Sequence, residues 1–358
     1  MFGNIYKGKR VLITGHTGFK GSWLALWLNK MGAQVAGYSI AEVSSPSHYK
    51  LLGLDINSCL GDIRDKEKLN HFFTEVRPEM VFHLAAQSLV RESYRDPSYT
   101  YETNVTGTLN VLEAARMTGG VSAIVNVTTD KVYENIEQQV AFSEGDPLGG
   151  HDMYSSSKAC SEILTASYRN SFFNDNSILL ASARAGNVIG GGDWAKERLI
   201  PDLIVGAVSG VSSEVRSPLS VRPWEHVLEP LSGYLILGEQ LLSGKIEAAS
   251  AWNFGPDPEK TLKVEDVVTL MRKKWNKINV KINKDLAKQF HEAAVLKLDC
   301  SKAKEKLLWE TVWPIDKTIE KTVNWYQKYY DDNEVISSRD IDSYVEDARK
   351  MSIKWSLE

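Results

Sequence analysis

The sequence predicts an α/β fold with a doubly wound parallel sheet and a smaller C-terminal substrate-binding domain. The first half alternates short β-branched runs with helical stretches, and from Gly186 onward this alternation stops. Such alternation is typical of parallel sheets with helices on both faces. We therefore expect a first domain over residues 1–185, with strands returning near 221–255, and a second domain formed mainly by residues 186–358.

The elements of the first half follow one another in a regular order. The strand RVLIT is followed by the helix GSWLALWLNKM, the strand QVAGYS, the helix KEKLNHFFTEV and the strand MVFHLAA. Next come a long helix over YTYETNVTGTLNVLEAARM, the strand AIVNVTT, the helix MYSSSKACSEILTASYRNSF and the strand SILLASARA. This series predicts a Rossmann-type sheet, which binds ligands at the carboxyl ends of its strands.

The composition limits the classes of function. The chain of 358 residues has 42 Lys+Arg, 46 Asp+Glu and a net charge of −4, and without a basic block we expect no nucleic-acid partner. No apolar run approaches the roughly 18 residues of a membrane span, and three widely spaced cysteines fit a reducing compartment. We expect a cytoplasmic protein that does not contact a membrane. Since no two histidines have metal-ligand spacing, we also expect no metal site.

A glycine-rich loop, TGHTGFKG, lies between the first strand and the first helix. In this position Gly15 can form the tight turn, Gly18 lets the backbone approach a pyrophosphate, and Gly21 lets the helix lie close to the strand. The helix N-terminus adds N–H donors for the anion. The loop therefore predicts dinucleotide binding rather than a simple turn. The expected contacts are Gly15, His16, Thr17, Gly18, Phe19, Lys20 and Gly21.

The choice of cofactor depends on the next two strands. Ser39 ends the second strand, where an acidic residue usually binds the ribose diol, and no arginine in 38–45 is available for a 2′-phosphate. This pattern favours NAD over NADP. Asp62, after the third strand, is either a hydrogen-bond acceptor for adenine or a surface loop acid. Further cofactor contacts are expected from Ile63, Leu84, Ala85 and Ala86.

A tyrosine and a lysine, Tyr154 and Lys158, are four residues apart on one face of a predicted helix. A phenol has a pKa near 10 and becomes a useful base at neutral pH when a nearby ammonium stabilises its anion. Tyr154 would take a proton from an alcohol whose oxygen Thr129 holds by a hydrogen bond. Asp130 and Lys131 follow Thr129 at a strand end, where they are either ligand-binding groups or a polar strand terminus.

These motifs resemble the extended short-chain dehydrogenase/reductase superfamily and, within it, the nucleotide-sugar 4,6-dehydratases. The resemblance lies in GHTGFKGSWL, TTDKVYEN, GGGDWAKERLIPD and RPWEHVLEPLSGYL. It implies NAD as the cofactor, CDP-glucose as the substrate, a homodimer or homotetramer, and a product used for the 3,6-dideoxyhexoses of O-antigen lipopolysaccharide. The alternatives are 4,6-dehydration of dTDP-glucose or GDP-mannose, 4-epimerisation of a nucleotide sugar, and a non-catalytic dinucleotide sensor.

The resemblance also implies a role for each catalytic residue. Thr129 and Tyr154 serve oxidation at C4, and Lys158 tunes Tyr154 and holds the nicotinamide ribose. Asp130 protonates the departing C6 hydroxyl and Lys131 handles the C5 proton. Lys131 departs from the Thr-Asp-Glu of relatives that act on dTDP-glucose. Because a carboxylate favours the charged ammonium, we expect Asp130 and Lys131 to point to different atoms or to be separated by substrate. Alternatively, Lys131 only neutralises Asp130.

The nucleotide and sugar of the substrate need hydrogen-bond donors and cations. The matched motifs imply that Asn187, Arg198 and Arg222 bind the diphosphate and the sugar, although each arginine alone is equally consistent with a surface role. Gln87 and Ser88 are further sugar-contact candidates. We expect Trp194 to pack in the core rather than to stack on the base.

Overall fold

The computed structural model describes residues 1–135, 141–173, 175, 177–283 and 293–357. Its strands are β1 (Arg10–Thr14), β2 (Gln34–Ser39), β3 (Asn57–Leu60), β4 (Met80–His83), β5 (Ala123–Val127), β6 (Leu179–Ala185), β7 (Asn187–Ile189), β8 (Ser213–Val215), β9 (Val221–Arg222), β10 (Trp224–His226), β11 (Ala251–Phe254), β12 (Leu262–Lys263) and β13 (Val280–Ile282).

The helices surround these strands. They are α1 (Phe19–Lys30), α2 (His48–Leu52), α3 (Lys66–Val76), α4 (Val90–Arg95), α5 (Pro97–Tyr101), α6 (Gly107–Thr118), α7 (Met153–Ser171), α8 (Leu199–Ser209), α9 (Leu228–Leu242), α10 (Val264–Lys274), α11 (Ser301–Leu307), α12 (Ile315–Asp332), α13 (Ser337–Lys350) and α14 (Lys354–Leu357). Among the described residues, no helix is long and apolar enough to cross a membrane.

A seven-stranded sheet forms the centre, in the order β11-β6-β5-β4-β1-β2-β3. All six strand pairs are parallel, so the predicted doubly wound parallel sheet is confirmed. From the centre of the sheet, β1, β2 and β3 follow one another toward one edge, and β4, β5 and β6 follow one another toward the other edge. The crevice between β1 and β4 is therefore the switch point, where folds of this class bind their ligands.

The two faces of the sheet bury separate cores. Val11 and Ile13 of β1 pack in one core with the tryptophans of α1, whereas Leu12 between them packs in the other with α3 and α6. Neighbouring strand residues point to opposite faces, so a strand that is covered on both sides must be apolar throughout. This burial explains the uninterrupted apolar run of RVLIT.

The later part of the chain is divided between the main sheet and small additions. Residues 251–254 form β11 and extend the sheet beside β6, whereas residues 221–226 pair outside it. In that region β10 pairs with β7, and β9 with β12. These small pairs lie beyond the end of β6 and form one wall of the cavity described below.

The long helix predicted after the strand MVFHLAA is not a single α-helix. The structure has α5, then one π-helical stretch over Glu102–Thr106, then α6. Asn104 in that stretch donates to the carbonyl of Gln87 at 3.0 Å and to the hydroxyl of Ser157 at 2.9 Å. The irregular turn therefore joins the end of β4 to helix α7, which carries Tyr154.

Candidate active site

A cavity of about 550 Å³ opens at the carboxyl ends of the parallel strands. It extends from the glycine loop to the segments that follow β6, and most of the predicted site residues line it. These are Gly15, Thr17, Gly18, Phe19, Lys20, Gly21, Asp62, Ile63, Leu84, Ala85, Ala86, Ser88, Thr129, Lys131, Tyr154, Lys158, Asn187, Arg198 and Arg222. Three predicted residues do not line the cavity: His16, Gln87 and Asp130.

The glycine loop has the close contacts that its sequence predicts. Gly15 has φ +78°, and a Cβ there would lie 2.7 Å from the backbone nitrogen of Ala85. A Cβ on Gly21 would lie 2.1 Å from the Gly15 carbonyl oxygen, so the helix can approach the strand only without a side chain. Gly18 is the N-cap of α1 and faces the cavity. The loop thus leaves backbone N–H groups accessible to a pyrophosphate, and the residues fit a dinucleotide.

His16 does not face the cavity, although it belongs to the same loop. Its Nε2 is 2.8 Å from the hydroxyl of Ser58, and its ring lies so close to Gly37 that a Cβ there would be 2.3 Å away. Burial lowers the pKa of His16 to about 4, so the imidazole is neutral at pH 7. In this position His16 supports the loop from behind.

Two side chains form the wall where the adenosine of a dinucleotide would lie. The hydroxyl of Ser39 is 2.7 Å from that of Thr17, which links the end of β2 to the loop. Arg64 holds Asp62 at 2.8 Å. Partial burial raises the pKa of Asp62, but the hydrogen bonds from Arg64 outweigh it and lower the pKa below its usual value. Asp62 is therefore an ionised acceptor on the cavity wall.

Thr129, Tyr154 and Lys158, here called the tyrosine group, are almost completely buried. Burial raises the pKa of Tyr154 to about 12, and the Thr129 hydroxyl is the strongest influence in the opposite direction. Lys158 donates to the carbonyl of Val127 at 2.9 Å, and burial lowers its pKa to about 8. The expected effect of Lys158 on Tyr154 is thus smaller than the effect of burial in this structure.

Asp130 and Lys131, here called the acid–base pair, are in direct contact. Lys131 Nζ lies 2.9 Å from Asp130 Oδ1, which also accepts a hydrogen bond from the Thr129 hydroxyl at 3.0 Å. The expectation that the two side chains point to different atoms is therefore wrong for this structure. Asp130 is fully buried and its Oδ2 has no hydrogen-bond partner among the described residues, whereas the Lys131 side chain is 26% exposed.

A buried ion pair, between Glu162 and Arg184, stabilises the segment that follows β5. Glu162, one turn beyond Lys158 on α7, accepts from Arg184 Nη2 at 2.8 Å and from the Ser182 hydroxyl at 2.7 Å. Its other oxygen accepts from the hydroxyl of Thr128. Burial raises the pKa of Glu162, but the charge and hydrogen bonds of Arg184 outweigh it, so the net pKa is lowered. The ionised pair therefore fixes Thr128, the residue before Thr129.

At the other end of the cavity the two predicted substrate arginines have polar partners, whereas the side-chain oxygen of Asn187 has none among the described residues. Arg198 donates to Ser88 at 2.9 Å and forms an ion pair with Asp193 at 3.0 Å. Asn187 Oδ1 has no partner among the described side chains and backbone groups. Arg222 donates to the carbonyl of Val221 at 2.9 Å.

Gln87 and Trp194 are mainly structural. The Gln87 backbone N–H donates to Asn104 Oδ1 at 2.8 Å, and its side chain donates to Thr100 at 3.0 Å. Trp194 packs edge-to-face against Trp325 and Tyr326, as expected for a core residue, although one side of it reaches the cavity.

Sequence reasoning missed two arginines on the cavity wall, Arg91 and Arg216. Both are associated with Glu197, whose carboxylate lies 3.9 Å from Arg91 and whose carbonyl accepts from Arg216 at 3.1 Å. Glu197 has φ +64°, a conformation that a residue with a side chain adopts at a cost. The only sequence signals were the positions of Arg91, shortly after HLAAQ, and Arg216, shortly before RPWEH.

Within the described ranges, no group of three or more His, Cys, Asp and Glu residues has the geometry of a metal site. The three cysteines, Cys59, Cys160 and Cys300, are free thiols. His291 lies outside the described residues.

Comparison with known proteins identifies the family. The sequence model of the GDP-mannose 4,6 dehydratase family matches residues 12–322. A CDP-glucose 4,6-dehydratase of Salmonella typhimurium is 45% identical over 96% of this chain and 98% of its own length. A probable dTDP-glucose 4,6-dehydratase of Sinorhizobium fredii is 26% identical over 88% of this chain and 92% of its own.

Solved structures share the fold. An epimerase of Methanothermobacter thermautotrophicus superposes with a TM-score of 0.80 at 25% identity, covering 92% of this chain and 95% of its own. A dTDP-glucose 4,6-dehydratase of Streptomyces venezuelae, solved with NAD and TYD bound, gives 0.75 at 23% identity, covering 89% and 97%. With the family match over most of its length, the chain belongs to the GDP-mannose 4,6-dehydratase family of nucleotide-sugar enzymes.

Proposed function

We propose that this protein converts CDP-D-glucose to CDP-4-dehydro-6-deoxy-D-glucose with loss of water and uses NAD as a cofactor that ends the cycle unchanged. The observation that carries the proposal is that Lys131, Tyr154 and Lys158 line one cavity, and that the buried Asp130 contacts Lys131 at 2.9 Å. The 45% identity to a CDP-glucose 4,6-dehydratase supports this choice of substrate.

NAD fits the first part of the cavity because Gly15 and Gly21 leave no room for a Cβ and Gly18 opens to the cavity. Asp62 and Ser39 would contact its adenosine, and Lys158 the nicotinamide ribose. When bound, NAD would supply the hydride acceptor for C4 and the hydride donor for C6, and the positive charge of its oxidised form would favour the phenolate of Tyr154.

The tyrosine group would carry out the proton transfer of the oxidation step. Tyr154 takes the proton of the C4 hydroxyl as the C4 hydride departs, and the Thr129 hydroxyl donates a hydrogen bond to the same oxygen. Burial raises the pKa of Tyr154 to about 12, so the phenol is neutral at pH 7 and becomes a base only when the added positive charge is present. The ketone at C4 then acidifies the proton on C5.

The acid–base pair would carry out the elimination. The 2.9 Å contact lets Lys131 pass a proton to Asp130, which gives an amine and a carboxylic acid in place of an ion pair. The amine takes the C5 proton and the acid protonates the C6 hydroxyl, which leaves as water. The charged pair is thereby restored, and Lys131 returns a proton to C5 when hydride arrives at C6. Lys131 is then an amine beside the Asp130 carboxylate. The pair regains one proton from solvent while Tyr154 releases to solvent the proton it took from the C4 hydroxyl, so the net change is the loss of one water.

The diphosphate and the sugar would be bound at the far end of the cavity. Arg198 and Arg222 were expected there from the sequence, and Arg91 and Arg216 line the same wall. Guanidinium groups suit this role because they bind phosphate oxygens in pairs of parallel hydrogen bonds. Asn187 offers an amide whose oxygen has no other partner among the described residues.

We further propose a homodimer or homotetramer that works in the cytoplasm and supplies 3,6-dideoxyhexose synthesis for O-antigen. Free thiols at Cys59, Cys160 and Cys300 are consistent with a reducing compartment. Exposed apolar side chains on α6 and α7, among them Met117 at 70% and Ile163 at 58%, support a contact between subunits. Light scattering of the purified protein would measure the mass of the assembly.

A panel of nucleotide sugars tests the proposed reaction. The protein is incubated with NAD and with CDP-glucose, dTDP-glucose, UDP-glucose or GDP-mannose, and the products are analysed by mass spectrometry and by the alkali-induced absorbance of 4-keto sugars. We expect loss of one water from CDP-glucose in strong preference to the others. Formation of an isomer of unchanged mass would instead identify a 4-epimerase, and no reaction with bound NAD would indicate a sensor.

A further inference from the structure

A carboxyl group on the cavity wall, that of Asp202, has no role in the proposed reaction. Its Oδ2 lies 3.8 Å from Nη2 of Arg216, which also lines the cavity. This distance is longer than a hydrogen bond, whereas Arg198 and Asp193 on the same wall are joined at 3.0 Å. Asp202 and Arg216, here called the open pair, therefore lie side by side without a hydrogen bond between them.

Two hydrogen bonds fix the backbone around the open pair. Asp202 lies in the first turn of α8, and its carbonyl accepts from the Ser213 hydroxyl of β8 at 2.8 Å. Arg216 directly follows β8 and donates to the carbonyl of Glu197 at 3.1 Å. The start of the helix and the end of the strand are thus tied together, so the open pair meets a ligand in a preformed arrangement.

The open pair presents a hydrogen-bond acceptor beside a donor. The Asp202 side chain is 39% exposed and the Arg216 side chain 18%. Burial raises the pKa of Asp202, and the charge of Arg216 is the strongest influence in the opposite direction. A rise large enough to neutralise a carboxyl group at pH 7 is typical of full burial, whereas Asp202 keeps contact with water and faces a guanidinium. Asp202 is therefore a charged acceptor, and Arg216 can only donate.

The segments that carry the open pair also bring apolar side chains to the cavity. Four of them line it, from the start of α8 and from β8: Leu199, Ile200, Pro201 and Val215. Apolar walls with a few polar groups are typical of sites that bind small organic ligands. With the hexose at the tyrosine group and the diphosphate at the arginines, the base is the part of a nucleotide sugar that these segments would contact.

We propose that the open pair selects cytosine over uracil and thymine, with Asp202 accepting from the N4 amino group and Arg216 donating to N3 and O2. This inference rests on the proposed function. A carboxylate and a guanidinium are the side-chain groups that match these donor and acceptor atoms. Uracil and thymine instead carry a carbonyl oxygen at C4 and an N–H at N3, so both contacts would place like groups opposite each other. The open pair therefore separates cytosine from the other pyrimidines.

The test compares the dissociation constants of CDP and UDP by titration calorimetry, with NAD present. Wild type should bind CDP more tightly. Asp202→Asn keeps the shape of the side chain but adds an N–H donor that suits O4 of uracil, so CDP should bind more weakly and UDP more tightly. We expect the ratio of the UDP constant to the CDP constant to fall by about tenfold or more, the usual effect of a hydrogen bond to a charged group. Asp202→Glu keeps the carboxylate and should keep the preference for CDP.

Asp316→Asn is the matched control, because Asp316 is also in the first turn of a helix, α12, but lies outside the cavity lining. It should leave the ratio unchanged. The proposal is overturned if wild type does not prefer CDP, or if Asp202→Asn leaves the ratio unchanged or weakens both ligands equally. Turnover of CDP-glucose by wild type is measured separately: turnover without a preference for CDP would contradict this inference alone, a preference without turnover would contradict the proposed reaction alone, and binding of neither nucleotide would contradict both.

Discussion

The tyrosine group and the acid–base pair lie at one strand end but differ in how their charges are stabilised. Among the described residues no carboxylate forms an ion pair with Lys158, and burial displaces the pKa values of Tyr154 and Lys158 toward their neutral forms. Asp130 and Lys131 instead form an ion pair at 2.9 Å, and Lys131 is partly open to solvent. Burial therefore keeps the first group in its neutral form until a further charge arrives, whereas in the second group each charge is stabilised by its partner.

The largest effect on turnover is expected from a change in the tyrosine group, which is the more deeply buried of the two. Tyr154→Phe removes only a hydroxyl and should lower turnover by about a hundredfold to ten-thousandfold, the usual contribution of a general base. NAD and CDP-glucose binding should be nearly unchanged in calorimetry. Tyr101→Phe is the control, since Tyr101 also loses a hydroxyl hydrogen bond, to Ser156, but lies outside the cavity lining. Turnover of Tyr154→Phe within tenfold of wild type would exclude Tyr154 as the base.

The support beneath the strand end can be removed without touching either group. Glu162→Gln leaves the Arg184 guanidinium buried without its counter-ion, and breaking a buried pair in this way costs about 3–5 kcal/mol. Urea denaturation should show that loss in the free energy of unfolding. Glu346→Gln breaks the exposed pair with Lys350 and should leave the midpoint unchanged. Equal midpoints for the two variants would mean that the buried pair does not stabilise the fold.

A change in the acid–base pair should affect a different step of the reaction. Lys131→Met keeps the length of the side chain and removes the amine, so oxidation at C4 should survive while elimination stalls. Exchange of the C5 hydrogen with solvent deuterium should slow by about a hundredfold, and absorbance of the reduced cofactor should accumulate. The control is Lys196→Met, which removes the amine of an exposed lysine outside the cavity lining and should behave as wild type. Undiminished exchange at C5 would show that Lys131 only neutralises Asp130.

The smallest expected effect lies away from both groups, at the ribose of the adenosine. Ser39→Asp supplies the carboxylate that the second strand lacks, and a hydrogen bond to a charged acceptor contributes about 1.5 kcal/mol or more. The dissociation constant for NAD should therefore fall by about tenfold. NADP provides the internal control, because its 2′-phosphate should be repelled. A weaker complex with NAD would indicate that the contact between Ser39 and Thr17 matters more than the missing acid.

Local patterns predicted the elements and part of the site. The strand runs, the glycine loop and the four-residue spacing of Tyr154 and Lys158 depend on neighbours in sequence, so the sequence alone was sufficient. The orientation of His16 toward Ser58 was not predictable, because it depends on a contact with another strand. The buried ion pair was not predictable for the same reason, because Glu162 is 34 residues from Thr128 and 22 from Arg184 in the sequence.

The contact between Asp130 and Lys131 was also beyond the sequence. The charges alone favour separate targets for the two side chains, because a carboxylate beside an amine stabilises the ammonium form. The strand, however, ends at Val127, and Asp130–Val132 form a single 3₁₀ turn. That turn brings the two side chains together, and it shows that the chemistry of the site depends on how a strand terminates.

The central claim is that one hydride leaves C4 and returns to C6 within the same active site. CDP-glucose labelled with deuterium at C4 and incubated with the protein and NAD tests it directly, because mass spectrometry and NMR locate the label in the product. We expect a 4-keto-6-deoxy sugar, one water lighter, with the deuterium on C6 and no net formation of reduced cofactor. A product labelled at C4, or deuterium recovered in the released cofactor, would contradict it.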